Sequence, residues 1–161
     1  MRRIAGLLVS LLLPAALHAE MAPLQREQSN YLLNCGGCHG IDGVSNSRVV
    51  PDLKDQVGYF LRLPEGRRYL GRLPNIAFAT LSDRDLADLL NYMVFTLGGD
   101  SAPKGAEPYS AKEVASLRKQ PLNEVALFEY RASLVEELIE KHNATTALRF
   151  YGEDLYGSQK Q

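Results

Sequence analysis

Apolar residues recur at helical spacing in three stretches of the chain. The best marked is "LSDRDLADLLNYMVFTLGG", from Leu81 to Gly99, where Leu86, Leu89, Leu90, Met93, Val94 and Leu97 form one stripe. Ser82 and Asp85 stand at capping-box spacing before it, Asp83 and Asp85 suit a helix N-terminus, and Gly98-Gly99 ends it. A shorter pattern, "PLQREQSNYLLN", places Leu24, Gln28, Tyr31 and Leu32 on one face. Between the two, "QVGYFLRLPEGRRYLGRLP" reads as one or two helical pieces broken at Pro64 and Pro74. Few runs read as strands, so the expected class is all-α.

After Gly99 the pattern changes. "DSAPKGAEP" reads as a linker by its Pro and Gly content. Ser110 and Glu113 then repeat the capping-box signal. From Asn123 to Lys141 a longer amphipathic helix is expected, with Phe128, Ala132, Val135 and Ile139 along its apolar stripe. The tail from Gly152 is polar.

The first nineteen residues fall outside this scheme. "MRRIAGLLVSLLLPAALHA" has two arginines, an apolar run and a small-residue end, the build of a secretory signal cleaved after Ala19. The run from Ile4 to Leu13 is short for a bilayer, which needs about 20 residues. No stable membrane span is expected in the mature chain, and the expected location is the periplasm. Removing Arg2 and Arg3 leaves 16 basic against 19 acidic side chains, a balance that argues against nucleic acid as a partner.

Export changes how the two cysteines are read. Both lie in "NCGGCHG", Asn34 to Gly40, with His39 directly behind them. A disulfide here would close a tiny loop and stabilise little. A thioredoxin-like pair would need strands alternating with helices. The third reading uses the histidine: C-x-x-C-H is the attachment signal for a c-type haem. Cys35 and Cys38 would form thioethers to the haem vinyl groups, and His39 would be an axial iron ligand. One covalent haem c is the expected cofactor.

With these residues in place, the stretch from about residue 22 to 99 resembles the class I c-type cytochromes. The resemblance implies an N-terminal helix crossing a C-terminal one over the edge of the haem. It implies that Tyr31, four residues before Cys35, packs against Tyr92 at the haem, and that the Pro51 carbonyl, followed by Leu53, accepts the Nδ1–H of His39. The implied haem-binding set is therefore Cys35, Cys38, His39, Pro51 and Tyr92. The expected domains are a signal peptide at 1–19, a cytochrome c domain at 20–99, and a linker with a C-terminal helical extension at 100–161.

One part of that pattern is missing. The family places a methionine in the loop before the last helix as the second iron ligand, but "RLPNIAFATLSD", Arg72 to Asp83, has none. Met21 lies beside the cleavage site. Met93 is the distal candidate, although methionine serves equally as core filler. The loop's polar side chain near its centre is Asn75. His142 reads either as an inward-facing residue or as a helix-end cation. Arg62, Arg67, Arg68 and Arg72 form a basic cluster that suits a solvated face, haem-propionate pairing or steering toward an acidic partner.

The leading function is a periplasmic monohaem electron carrier, not an enzyme, that accepts electrons from a dehydrogenase and passes them to a cytochrome or terminal oxidase. The alternatives are a permanent haem subunit of a dehydrogenase complex, with the extension as its clamp, and a haem protein with an open sixth position that binds ligands or acts on peroxide.

Overall fold

The computed structural model describes residues 24–45 and 50–150. The expected signal segment with Ala19, Met21, and the polar tail from Gly152 lie outside the described residues. Among the described residues the fold is all-α, with no strand. No described helix is long and apolar enough to cross a membrane.

Helix α1 (Arg26–Asn34) runs directly into the single turn α2 (Gly36–His39). A 3-10 segment, Val57–Arg62, leads to α3 (Pro64–Arg72) and the short α4 (Pro74–Ala77). Each proline takes the first helical position, where its missing N–H costs nothing. Helix α5 (Asp83–Asn91) is capped as its sequence predicts: the Ser82 hydroxyl accepts from Asp85 N–H at 3.1 Å.

The last turns of that stretch differ from expectation. Tyr92–Leu97 winds as a π-helix, closed by a bond from Gly98 N–H to the Met93 carbonyl at 2.8 Å. Widening the turn re-aims Tyr92 and Met93 relative to an unbroken α-helix. Tyr31 on α1 is fully buried, and its ring packs against Tyr92 with centroids 5.6 Å apart. Leu86, Leu90 and Val94 complete the buried face between the helices.

The remainder folds onto this body. Helix α6 (Ala111–Leu117) packs against α5, and it comes so close to α3 that a Cβ on Gly71 would sit 2.6 Å from Leu117 Cδ1. Helix α7 (Glu124–His142) packs on α3 and the 3-10 segment before it, and a closing 3-10 turn spans Thr146–Phe150. The buried stripe of α7 is Arg131, Leu134, Val135 and Leu138, while Ala132 is exposed and Ile139 only half-buried. The stripe is rotated from the expected one because a charged residue occupies one of its inward positions.

The basic cluster is engaged in this packing. Arg62 Nη1 donates to the His142 carbonyl at 2.8 Å, and Arg72 Nε to the Gln120 carbonyl at 2.6 Å. Arg67 grips Glu113 with two bonds of 2.6 and 2.7 Å and lies over the Tyr109 ring. Arg68 pairs with Glu65. From the other direction, Arg118 on the extension donates to the carbonyls of Ala77, Ala79 and Leu81 and to Asp83.

Candidate functional site

Cys35 joins α1 to α2. Its N–H closes the last turn of α1 on Tyr31, and its carbonyl accepts from His39 N–H at 3.0 Å. One helical turn thus sets both thiols and the imidazole along the same short stretch. Gly40 stops the turn with φ +77°, and a Cβ there would stand 2.0 Å from the Val44 carbonyl oxygen, so glycine is required. The Tyr31 hydroxyl donates to the Gly40 carbonyl at 2.6 Å, tying the buried helix crossing to the end of the motif.

The His39 ring is oriented from the far side. Its Nδ1 lies 2.9 Å from the Pro51 carbonyl. A carbonyl only accepts, so the proton is on Nδ1 and the Nε2 lone pair is left for a ligand. Burial lowers the imidazole's pKa against the opposing pull of the Pro51 carbonyl and Asp52, which favours the neutral form that binds metal. Both cysteines are free thiols, and burial beside Cys38 pushes the Cys35 thiol up to about 11.

These groups open into a cavity of about 460 Å³. Cys35, Cys38, His39 and Pro51 line one part of it. Phe60, Tyr69 and Leu70 line another, and Leu73, Asn75, Ile76 and Ala79 supply the loop wall. The volume and the largely apolar lining suit a small-molecule or cofactor site.

The structure brings four of the expected site residues, Cys35, Cys38, His39 and Pro51, into one wall, and the distal candidate Met93, 5 % exposed, into the same cavity. Tyr92 stands outside the lining, against Tyr31. Asn75 is at the cavity but exposed, and His142 is not in the lining.

The lining also holds residues that the sequence did not assign to the site, Phe128 having been expected only as part of a helix's apolar stripe. Leu127, Phe128 and Arg131 of α7, with Leu148 beyond it, complete the cavity wall. The extension is therefore part of the site. A signal for this was present: Arg131 falls three and four residues before Leu134 and Val135, on the inward stripe of an amphipathic helix.

The chain is similar to a cytochrome c-552 from Thermus thermophilus, at 28 % identity over 120 residues, 63 % of this chain and 81 % of that one. A second cytochrome c-552 from Thermus thermophilus is 28 % identical over 116 residues, 61 % of this chain and 88 % of the relative. No family model matches the chain, and no solved structure gives a significant match.

Proposed function

We propose that this c-type cytochrome holds one covalent haem and carries electrons singly between proteins of the periplasm. The observation that supports it best is the His39 site: a C-x-x-C-H turn whose imidazole is oriented through Nδ1 by Pro51, with both thiols lining the same largely apolar cavity. The donor set fits a haem c. Cys35 and Cys38 supply two thiols for addition across vinyl groups, His39 supplies an Nε2 ligand, and the apolar wall accommodates a macrocycle.

When bound, the haem supplies a one-electron couple at its iron. The chain's own residues do the rest. Pro51 holds the imidazole tautomer and raises its basicity. Phe60, Leu70, Ile76 and Leu148 keep water out, and Met93, within the lining, would be the candidate thioether for the iron. In this reading residues 1–19 direct export and are removed after Ala19, residues 20–99 carry the haem, and residues 100–161 are a linker and helical extension whose Leu127, Phe128, Arg131 and Leu148 close its cavity. A periplasmic dehydrogenase is the donor, and a cytochrome or oxidase the acceptor.

An anaerobic redox titration of the exported holoprotein tests this. One reversible one-electron transition per chain is expected. Two transitions, or turnover of peroxide at the rate of a peroxidase, would contradict a single-haem carrier. The loop without methionine favours a second reading, a weakly ligated or open distal side. Carbon monoxide binding to the reduced protein distinguishes the two.

A further inference from the structure

The cavity wall formed by Leu73, Pro74, Asn75, Ile76 and Ala79 belongs to the segment that joins α3 to α5. Little within this segment holds it in place. Helix α4 is a single turn, and the last carbonyls of a helix find no donor inside it. From Ala79 to Leu81 the chain bends without regular structure to reach the Ser82 cap. Phe78, 71 % exposed, does not anchor it from inside.

The extension supplies the donors. Arg118 ends α6, where its N–H bonds to the Val114 carbonyl at 3.0 Å, and α6 itself is seated on α5 and against Gly71 of α3. From that base the guanidinium lies along the segment. Its Nε donates to the Ala77 carbonyl at 3.1 Å and its Nη2 to the Ala79 carbonyl. Its Nη1 donates to the Leu81 carbonyl at 2.9 Å and to the Asp83 carboxylate at 3.0 Å. The side chain is 19 % exposed, so these bonds are largely shielded from competing water. One planar group therefore holds the carbonyls of alternate residues together with the first residue of α5. Arg67 and Arg72 join body to extension at other points, through Glu113 and the Gln120 carbonyl.

We propose that Arg118 is the positioning residue of this wall, a clasp from the extension that keeps Ile76 and Ala79 in place and sets how fast a small neutral ligand enters the haem site. The inference rests on the cavity being the haem site argued above. Moving the wall outward means breaking bonds at all three guanidinium nitrogens together. A lysine ammonium keeps the charge but cannot match the spread of acceptors that the fork reaches.

The test mixes carbon monoxide with reduced holoprotein of wild type, Arg118→Met, Arg118→Lys and Arg67→Met, each first assayed for haem by its alkaline pyridine spectrum. The association rate is measured, and amide hydrogen exchange is followed at residues 77–82 of the same proteins. In Arg118→Met the rate should rise about tenfold or more, the change that losing one or two net hydrogen bonds makes in an opening equilibrium, and residues 77–82 should exchange faster. Arg118→Lys should fall between it and wild type. Arg67→Met, which loosens the extension elsewhere, should keep the wild-type rate. An unchanged rate in Arg118→Met overturns the proposal, as does a faster rate without faster exchange at 77–82. An Arg67→Met protein that speeds entry as much as Arg118→Met also overturns it, because general loosening of the extension would then suffice. So does a haem-loaded set in which no protein binds carbon monoxide. Should Arg118→Met fail to fold, Arg118→Lys decides alone, and unchanged rate and exchange overturn the proposal. A wild-type chain without haem in the pyridine spectrum overturns the reading of the cavity itself, and this inference with it.

Discussion

Two interfaces hold this molecule together, and they are oriented by different forces. Helix α1 crosses α5 and the π-helical turns through an apolar seam, with Tyr31 fully buried and its ring on Tyr92. The extension also buries apolar side chains, Leu134, Val135 and Leu138 among them, but its placement is set by arginines reaching backbone carbonyls. An apolar seam gains its energy from area and tolerates small slides. A guanidinium on a carbonyl fixes direction as well as distance. The body can therefore rely on packing, whereas a segment that must complete a cavity wall needs registration.

The largest effect should come from breaking the apolar seam. Tyr31→Ala should destabilise the holoprotein by about 3–5 kcal/mol in urea unfolding, as large core truncations do. A double-mutant cycle with Tyr92→Ala should show coupling of about 0.5–1.5 kcal/mol for the ring pair. Simple additivity would mean that the rings do not hold the crossing.

Next in size is Leu138→Ala, which empties a fully buried position beneath the extension and should cost about 2–5 kcal/mol. A single unfolding transition in that variant would show that extension and body unfold together. Two separated transitions would show an appendage folding on its own.

Arg67→Met keeps most of the side chain's volume and removes the paired bonds to Glu113. With both partners partly exposed, about 1–2 kcal/mol is the expected loss. No loss at all would mean that the apolar stripe alone sets the registration.

The smallest effect is alkaline. Tyr109 is buried, donates to the Arg67 carbonyl at 2.7 Å, and has its pKa raised, chiefly by burial. Because the folded pKa lies above the unfolded one, its neutral form supports the fold fully below pH of about 10. That support then falls, by at most about 1.4 kcal/mol per pH unit, until the folded pKa is passed. Melting temperatures followed above neutrality should decline less steeply in Tyr109→Phe than in wild type. Parallel declines would remove Tyr109 from the account.

The same contrast explains what the sequence revealed. The α5 stripe, the Ser82 cap, the breaks at Pro64 and Pro74 and the Cys35–His39 turn all rest on short-range patterns, and these are legible in order along the chain. The arginine attachments are not, because their acceptors are mostly carbonyls, which every residue carries. Cluster composition alone left Arg62, Arg67 and Arg72 looking like a surface for an anion or a partner. Arg131 concealed the α7 stripe for a related reason: a charge at an inward position breaks the apolar period by which such a stripe is recognised. The π-helical turns at Tyr92–Leu97 were hidden as well, since one widened turn leaves the spacing of apolar residues almost unchanged.

Everything proposed for the cavity depends on a haem fixed through Cys35 and Cys38. The direct measurement is acid–acetone extraction of protein exported with its leader intact by a host that matures c-type haem, followed by an alkaline pyridine spectrum of the precipitate. The account predicts that the pigment stays with the chain, with the spectrum of haem whose vinyl groups are saturated. Pigment that passes into the organic layer, or a colourless chain, would contradict it.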